Sequence, residues 1–488
     1  MILALLCLPF AAALASWFIP AHGPRRVLLA LTAGVEMLLA FACWMVEPTP
    51  FFGGAFYLDA MGRLVLTLTT ILFFAASLYG IVYLKGEDSG VRKDFVQGLH
   101  FSNAPEATFT ACLLLFLSTA VLVAVTRHLG ILWVGIESTT LVSAPLIYFH
   151  RHRRSLEATW KYLMICSVGI ALALVGNILL DISMQSDAGH GASMILDAML
   201  ERAENVHHGW FKAAFVFLLI GYGTKMGIAP MHTWLPDAHS EAPSVVSALL
   251  SGALLNCAFL GIYRACEISA AAGLGDFSGQ LLMAFGFFSM VTAALFIVGQ
   301  GDFKRMLAYS SVEHMGILIL ALGAGFEAAR GGIMHMAGHS LVKAALFLLA
   351  GNILARYHTK SSHDVIGMRR TMPFTAFLWM AGILAICGSP PFSIFMSELS
   401  VLQGLLRHGI FPAMAYLLLL GVIFAGMLTP VLRMCAGKAP HGIALDRKEA
   451  AVSVLPSACL FGLALALGLY MPEWLDTVLT AAAAATGM

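Results

Sequence analysis

Three ionisable side chains follow one another at helical spacing in an otherwise apolar stretch of this sequence. His335, His339 and Lys343 are four residues apart, so they lie on one face of a helix. Histidine titrates near neutral pH, and a row of protonatable groups can pass a proton along through intervening water. The stripe therefore predicts a proton relay. Two alternatives stay open. One is that the histidines are structural and only hydrogen-bonded in a core. The other is a transition-metal site, although the same helix contains no carboxylate or cysteine that could be a further ligand.

A lysine lies near the end of another apolar stretch, residues 211–228. Burying Lys225 in hydrocarbon costs several kcal/mol, so it has to face protein or water. Pro230 then breaks the helix, and a polar segment with His232 and His239 follows. Irregular backbone at membrane depth is tolerated where it packs in protein or lines a wet cavity. The pattern predicts a proton or ion path here. The alternatives are a lysine that snorkels to the interface and polar groups that cap half-helices.

Carboxylates accompany the lysine and the histidines. Glu137 precedes Lys225 by 88 residues, and Glu313, next to His314, precedes Glu398 by 85 residues. A carboxylate within about 4–6 Å favours charged lysine, whereas burial favours the neutral amine. Because distance and hydration shift this balance, we interpret Glu137 and Lys225 as a pair that releases and takes up a proton, with a static ion pair as the alternative. Glu313, His314 and Glu398 are candidates for the rest of the path.

The composition is that of a membrane protein. Of the 488 residues, 59% are hydrophobic and 11% are charged, which excludes an ordinary soluble domain. The net charge of +1 gives no indication of a nucleic-acid partner. Nine cysteines are scattered singly, without the paired spacings of iron–sulfur or zinc sites. We therefore expect no metal, no cofactor and no catalytic redox centre in this chain.

Apolar windows of about 20 residues, the length that crosses a bilayer core, recur along the whole chain. They predict an all-α integral membrane protein with about 14 transmembrane helices, called spans 1 to 14 here. The windows are 2–20, 27–46, 60–84, 108–126, 129–149, 158–181, 211–229, 243–265, 277–299, 306–324, 330–354, 372–396, 409–434 and 451–471. Without a basic segment before it, span 1 is expected to be retained and not cleaved as a signal peptide. After residue 471 we expect neither another span nor a lateral arm.

Basic residues sort by loop. Most of the 28 lysines and arginines, including Arg447 and Lys448, lie in loops that follow odd-numbered spans. The positive-inside rule then places these loops in the cytoplasm and both termini on the outer side. We expect a multi-pass protein of the inner (cytoplasmic) membrane of a prokaryote, with the lipid bilayer as its surroundings.

Buried charges and helix breakers recur in the same order in two parts of the chain. Spans 4–8 carry Glu137 and a broken span 7 with Lys225; spans 9–13 carry Glu313 and a broken span 12 with Glu398 after Gly388-Ser389-Pro390-Pro391. Because each unit has five spans, the second copy is inverted, as in many ion transporters. The predicted divisions are 1–107 (spans 1–3), 108–265 (first repeat), 266–434 (second repeat) and 435–488 (a loop and span 14).

Two further pairs are expected from spacing alone. Asp59 and Arg63 open span 3 four residues apart, which predicts a structural ion pair at the interface. Glu157 and Lys161 have the same spacing at the start of span 6, which predicts a second pair.

Three long motifs resemble a known family of membrane subunits. They are Lys225–Pro243 (KMGIAPMHTWLPDAHSEAP), Asp302–Gly316 (DFKRMLAYSSVEHMG) and His335–Phe347 (HMAGHSLVKAALF). They are similar to the antiporter-like subunits of respiratory complex I, of Mrp cation/proton antiporters and of membrane-bound hydrogenases. SALLSGALLN (Ser247–Asn256), SVEHMG and GSPPF…SEL around Glu398 are most similar to the F subunits of hydrogenase 4 and formate hydrogenlyase-type complexes.

The resemblance implies proton translocation. It makes Glu137 and Lys225 the pair of the first half-channel, His335, His339 and Lys343 the central relay, and Glu398 the residue of the far half-channel. It also implies sibling antiporter-like and small membrane subunits as partners. A hydrophilic redox arm with iron–sulfur proteins would carry a NiFe or quinone-type site outside this chain.

Asn256 departs from the family, because span 8 often carries a lysine or histidine at this point. Asparagine cannot relay a proton, so the path there has to use water, His239 or another group. Three other functions remain open: an Mrp-like Na⁺/H⁺ antiporter subunit, a proton-channel subunit of an energy-coupled uptake complex, and a structural membrane anchor. The buried charges disfavour the anchor.

Overall fold

The computed structural model describes residues 1–87, 90–93, 98, 100–184, 193–438 and 449–487, nearly all of them helical. A two-residue antiparallel ladder joins β1 (Arg92–Lys93) to β2 (His100–Phe101), with Arg92 opposite Phe101. The helices are α1 (Ile2–Phe18), α2 (His22–Met45), α3 (Ala60–Gly86), α4 (Glu106–Val125), α5 (Leu129–Ile147), α6 (Arg153–Met184), α7 (Leu196–Arg202), α8 (His208–Met226), α9 (Trp234–Glu241), α10 (Ser244–Leu249), α11 (Leu255–Ala271), α12 (Gly275–Ile297), α13 (Phe303–Gly323), α14 (Phe326–Tyr357), α15 (Met368–Thr371), α16 (Pro373–Ile386), α17 (Ser393–Arg407), α18 (Ile410–Cys435), α19 (Ala451–Leu469) and α20 (Glu473–Ala485).

The fold is that of a multi-pass membrane protein. Within the described residues, 12 helical segments are long and apolar enough to cross a bilayer, and the shorter apolar helices α1 and α16 occupy predicted spans 1 and 12. The all-α membrane architecture is therefore confirmed. The count of fourteen spans and the inverted repeats at 108–265 and 266–434 stay predictions.

Glycines let two antiparallel helix pairs approach closely. Where α6 crosses α8, a Cβ added at Gly221 would lie 2.7 Å from the Gly169 carbonyl oxygen. Where α12 crosses α13, a Cβ at Gly286 would lie 2.8 Å from the Gly316 carbonyl oxygen. In an apolar medium helices associate mainly through such close packing, because lipid offers apolar contacts of similar quality.

Span 7 is broken, as predicted. Gly227 has φ +81°, its N–H donates to the Thr224 carbonyl, and the Ile228 N–H donates to the Gly223 carbonyl, which is the Schellman pattern that ends a helix. Pro230 cannot continue the hydrogen-bond ladder. A 3₁₀ turn, Met231–Thr233, then leads into α9. The polar segment is therefore mostly a short second half-helix.

Span 12 is broken in the same way. The chain leaves α16 at Cys387, and Gly388 takes a left-handed φ of +68° that other residues adopt with strain. Pro390 and Pro391 follow, and α17 begins at Ser393. The predicted breaker is confirmed.

Helix α14 is the centre of the second half of the fold. It packs against α3, α10, α13, α16, α17, α19 and α20, and it is buried along most of its length. Facing it, span 8 contains a π-helical segment, Leu250–Leu254, that the sequence analysis did not predict. Such segments are frequent at functional sites, and this one ends two residues before Asn256.

The C-terminal region contains one more helix. Helix α20 follows α19 and packs against α3 and α14, where the sequence analysis expected neither another span nor a lateral arm. At 13 residues it is too short to cross a bilayer. Arg447 and Lys448, which contribute to the predicted charge bias, lie outside the described residues.

The predicted ion pair between Asp59 and Arg63 is wrong. Asp59 instead contacts the buried guanidinium of Arg264, 205 residues away, and accepts from the Gly62 N–H as the cap of α3. Burial by itself raises the pKa of a carboxyl, but Arg264 and this cap hold the pKa of Asp59 below its usual value. Arg63 pairs with Glu47 at 2.7 Å. The pair of Glu157 and Lys161, at 2.7 Å, is confirmed.

Replacing Gly221 by alanine is expected to destabilise the protein by about 1–3 kcal/mol, because the new methyl group overlaps the α6 backbone. The control is Gly80→Ala in the interior of α3, where a Cβ meets nothing within 4 Å. That change is expected to be neutral or to stabilise by up to about 1 kcal/mol. Denaturant unfolding of both variants in detergent measures the difference. Equal stabilities would contradict the close packing of α6 on α8.

Candidate functional site

Lys225 is fully buried at the last turn of α8. Its Nζ donates to Thr140 Oγ1 on α5 and to Tyr162 OH on α6, both at 2.6 Å. The ammonium also lies 4.7 Å from the centre of the Tyr162 ring, within cation–π range. Neutral hydroxyl groups therefore hold this amine.

Glu137 lies one helical turn from Lys225's partner Thr140. Its Oε1 accepts from Ser167 Oγ of α6 at 3.0 Å, and the side chain is half-buried. Across the described ranges, no ion pair within 4.0 Å joins Glu137 to Lys225. Glu137 lies on α5 one turn from Thr140, the residue that Lys225 contacts, but Glu137 and Lys225 do not touch each other. Proton exchange between them therefore requires an intermediate group.

The broken span positions this lysine. Trp234, the first residue of α9, lies against Tyr162 with ring centres 5.0 Å apart. Its indole N–H donates at 2.8 Å to the Thr224 carbonyl, one of the last carbonyls of α8. The second half-helix thus contacts both the backbone beside Lys225 and its hydrogen-bond partner.

The second half-helix also reaches the central stripe. His239 is fully buried and stacks on Phe347 of α14 at 5.0 Å, one turn after Lys343. The ammonium of Lys343 donates to the Leu307 carbonyl of α13 at 2.6 Å. His239 therefore lies where it can extend the path from α9 towards α14.

Asn256 is the residue at which the sequence analysis expects a departure from the resembled family. Its Nδ2 donates to the Gly252 carbonyl at 2.7 Å and to Ser340 Oγ at 2.8 Å. Ser340 is the neighbour of His339 in α14. The amide thus links the π-helical segment of span 8 to the histidine stripe.

His314, His335 and Ser397 form a chain of hydrogen bonds across three helices. Ser397 Oγ donates to the Ile394 carbonyl at 2.7 Å, so it accepts from His335 Nδ1–H at 2.9 Å. Nε2 of His335 then accepts from Nδ1–H of His314 at 2.8 Å. All these side chains are buried. The sequence pattern predicted a stripe on one helix, and the structure adds hydrogen-bond partners for it from α13 and α17.

His339, Glu313 and Glu398 lie around this chain of hydrogen bonds. The His339 ring is 5.2 Å from that of His314, and Glu313 lies buried halfway along α13. Glu398 is 8% exposed and lies so close to Gly388 that a Cβ at that glycine would overlap its carboxylate. One nitrogen of His314, one of His335 and one oxygen of Glu398 lie within 4.8 Å of one another.

His232 lies apart from the other predicted residues. Its ring centre is 6.3 Å from those of Phe296 and Tyr309, which are stacked on each other at 5.0 Å. It is mostly buried between α12 and α13. Among the residues that the structure describes, its ring contacts are with these two aromatic side chains and with none of the other ionisable candidates.

A cluster of ion pairs lies at the C-terminal end of α9. Asp237 pairs with Lys161 at 2.9 Å and with Arg305 at 2.6 Å, and Glu241 pairs with Lys360 at 3.0 Å. Beside it, a cavity of about 720 Å³ is lined by Glu241, Lys304, Lys360, Arg154, His152 and other residues. These residues come from several loops that follow odd-numbered spans.

Comparison with known proteins identifies the family. Residues 126–428 match the transmembrane family described as NADH:quinone oxidoreductase/Mrp antiporter. A hydrogenase-4 component F homolog of Methylacidiphilum infernorum (isolate V4) is 35% identical over 430 residues, which are 86% of this chain and 87% of that protein. The chain belongs to this family. The resemblance noted in the sequence is thereby confirmed.

Solved structures of this antiporter family have the same fold. A chain of the Mrp complex from Dietzia sp. aligns with a TM-score of 0.84 and 21% identity, over 99% of this chain and 96% of its own. A chain of respiratory complex I from Thermus thermophilus with bound NADH aligns with a TM-score of 0.81 and 21% identity, over the full length of both. At this identity the likeness establishes the fold.

Sequence reasoning missed several residues of this antiporter-like site. Tyr162, Thr140 and Ser397 supply the hydroxyl groups, and Lys304 is a buried lysine that donates to the Ala242 carbonyl at 2.7 Å. Each is a polar group within an apolar helix, which is the signal that could have drawn attention to them.

Tyr162→Phe is expected to destabilise the protein by about 1.5–3 kcal/mol, because a buried charged donor, Lys225, loses one of its two acceptors. Ser143, the other partner of the Tyr162 hydroxyl, keeps the Thr139 carbonyl as acceptor, so the loss falls on the lysine. The control is Tyr470→Phe at an exposed tyrosine. Unfolding midpoints in detergent test this, and equal values for the two variants would mean that the hydroxyl does not stabilise the ammonium.

Proposed function

We propose that this protein translocates protons across the membrane as an antiporter-like subunit of a redox-driven complex. The observation that carries the proposal is a succession of buried protonatable side chains from α5 and α8, through α9 and α14, to α13 and α17. Ionisable groups are rare within membrane spans because their burial is unfavourable, and where they occur they commonly serve transport.

Direct hydrogen bonds support proton transfer in parts of this succession. Lys225 bonds to Tyr162 and Thr140, and His314 bonds to His335. Proton transfer occurs readily between groups at such distances of 2.6–2.8 Å. Lys225 and Lys343 are held by neutral oxygens, which leaves each amine able to give up its proton without breaking an ion pair.

Water is the expected carrier between these groups. Both ring nitrogens of His239 and of His339, and Oδ1 of Asn256, have no hydrogen-bond partner within the parts of the chain that the structure describes. Buried polar atoms are otherwise nearly always bonded to protein or ordered water. Water beside Asn256 would carry the proton past the one side chain that cannot relay it.

We place the redox chemistry in partner subunits. The name of the relative from Methylacidiphilum infernorum, a hydrogenase-4 component F homolog, supports membership of a hydrogenase-like complex. We infer sibling antiporter-like and small membrane subunits, and a hydrophilic arm whose iron–sulfur proteins and NiFe or quinone site supply the driving reaction. This chain would then contribute proton transfer and no cofactor.

We also infer the orientation. Arg154, Arg305 and Lys360 come from three loops after odd-numbered spans, and the acidic end of α9 brings them to one polar cluster. This supports one cytoplasmic side for these loops under the positive-inside rule. In a prokaryotic inner membrane both termini would then lie on the periplasmic side, and the 720 Å³ cavity would admit water from the cytoplasm.

Lys225→Met and Glu137→Gln are expected to slow proton translocation by about tenfold or more, because loss of one proton-transfer group typically costs 10²–10⁴ in rate. Vesicles that contain the intact complex are assayed for proton uptake and redox turnover together. A Na⁺ ionophore is added in parallel to separate proton transport from Na⁺/H⁺ exchange.

The matched control is Lys212→Met, at an exposed lysine of the same helix α8. It is expected to translocate protons at the wild-type rate. If Lys225→Met also does so, the buried lysine is structural and the path does not pass through it. A proton signal that collapses with the Na⁺ ionophore would favour the Mrp-like alternative.

Glu398→Gln is expected to reduce proton translocation by a similar factor, since a glutamine at the start of the far half-channel cannot exchange protons. Glu473→Gln, at an exposed carboxylate of α20, is the control and is expected to behave as wild type. The ratio of protons to redox turnovers measures the effect. An unchanged ratio in Glu398→Gln would remove this residue from the path.

A further inference from the structure

We propose that His314, His335 and Glu398 form a binding site for a divalent transition-metal ion, and that an ion bound there blocks the proton path. The block rests on the proposed function, whereas binding of the ion does not. The site was not predicted from the sequence, because its three ligands lie on three different helices, α13, α14 and α17.

The geometry of the three side chains fits such an ion. Their candidate ligand atoms lie within 4.8 Å of one another. Zn–N and Zn–O bonds of about 2.0–2.2 Å place tetrahedral ligands roughly 3.3 Å apart, so side-chain rotations that change the separations of the ligand atoms by up to about 1.5 Å suffice. Two imidazoles and one carboxylate are also the ligand set of open, three-ligand zinc sites.

One oxygen of the Glu398 carboxyl group lacks a protein partner. Oε1 of Glu398 is buried and, among the residues that the structure describes, nothing hydrogen-bonds to it. A buried polar oxygen without a partner is costly, and a cation would supply the missing interaction. The unpartnered atom belongs to the residue that completes the cluster.

His335 is already oriented as a ligand. Ser397 Oγ accepts from its Nδ1–H at 2.9 Å, so the lone pair of Nε2 faces His314. Metal-bound histidines usually donate their other N–H in this way, which fixes the tautomer and the ring. An ion that enters replaces the proton between the rings. That proton moves to Nε2 of His314, both rings stay neutral, and Nδ1 of His314 and Nε2 of His335 become ligands.

The ligand set selects the class of ion. Calcium and magnesium take six or more oxygen ligands, and this cluster offers one carboxylate and two nitrogens. Imidazole nitrogens favour zinc and neighbouring transition metals. Because the ion uses the same nitrogen lone pairs that hold the proton between His314 and His335, proton transfer and metal binding exclude each other.

Binding of radioactive Zn²⁺ to the intact complex tests the site directly. Wild type and His408→Gln, which changes an exposed histidine just after α17, are expected to bind one more Zn²⁺ per complex than Glu398→Gln. Zinc bound elsewhere in the complex is the same in all three samples and cancels in the comparison. Equal binding by wild type and Glu398→Gln would overturn the site.

Ser397→Ala is a second variant that distinguishes a lost zinc site from poor folding of Glu398→Gln. It keeps all three ligands and removes the hydrogen bond that orients His335. The number of bound ions is expected to stay at the wild-type value while the affinity for Zn²⁺ falls about 10–100-fold. An unchanged affinity would show that His335 is not a ligand in this orientation.

The block is tested in vesicles by adding Zn²⁺ to the wild-type complex after proton transport has been recorded without it. Half-inhibition is expected at the Zn²⁺ concentration that half-fills the site, and at a concentration about 10–100-fold higher in Ser397→Ala, each variant compared with its own zinc-free rate. Zinc-insensitive transport would overturn the block. Absence of transport without zinc would overturn the proposed function and the block together, and the binding comparison would still decide the site.

Discussion

A charge buried in an apolar membrane protein has to be solvated by the protein itself. Here the ammonium groups of Lys225, Lys304 and Lys343 are all buried, and each donates to neutral oxygens: two hydroxyl groups for Lys225 and a single backbone carbonyl for each of the other two. In the described part of the chain, none of the three makes a contact ion pair within 4.0 Å. Because no neighbouring carboxylate locks the charge, the amines are stabilised yet able to lose a proton. The helices around them are arranged to bring such oxygens close.

The two broken helices place ionisable side chains against other spans. A continuous helix uses its own carbonyls and N–H groups, whereas the glycines at 227 and 388 and the prolines that follow them free backbone groups and turn the chain. At the first break Trp234 reaches both Tyr162 and the end of α8, and His239 comes to lie on α14. At the second break the missing side chain of Gly388 makes room for the carboxylate of Glu398. The irregular backbone thus explains how ionisable groups from distant spans meet.

The same arrangement makes the far half of the site suitable for a proton and for a metal ion. The hydrogen bonds from His314 to His335 and on to Ser397 give the imidazoles a defined direction, with a lone pair facing a neighbouring donor. A lone pair with a short hydrogen bond accepts a proton readily, and it is equally the atom that a transition metal binds. Glu398 adds a carboxyl oxygen that can bind either cation. The chemistry that suits proton transfer therefore also creates a vulnerability to metals.

The sequence by itself determined the class of protein, the places where helices break and the kinds of side chain that carry the chemistry. Long apolar windows, Gly–Pro breakers and the i, i+4 stripe of His335, His339 and Lys343 are local patterns, and each depends on residues that are close in the chain. Partners were decided only by the tertiary structure. Asp59 joins Arg264 instead of Arg63, and Lys225 joins Tyr162 and Thr140 instead of touching Glu137. His335 meets His314 and Ser397 from other helices. Such contacts depend on how helices far apart in the chain cross and rotate against one another, which close packing of side chains sets and local spacing does not encode.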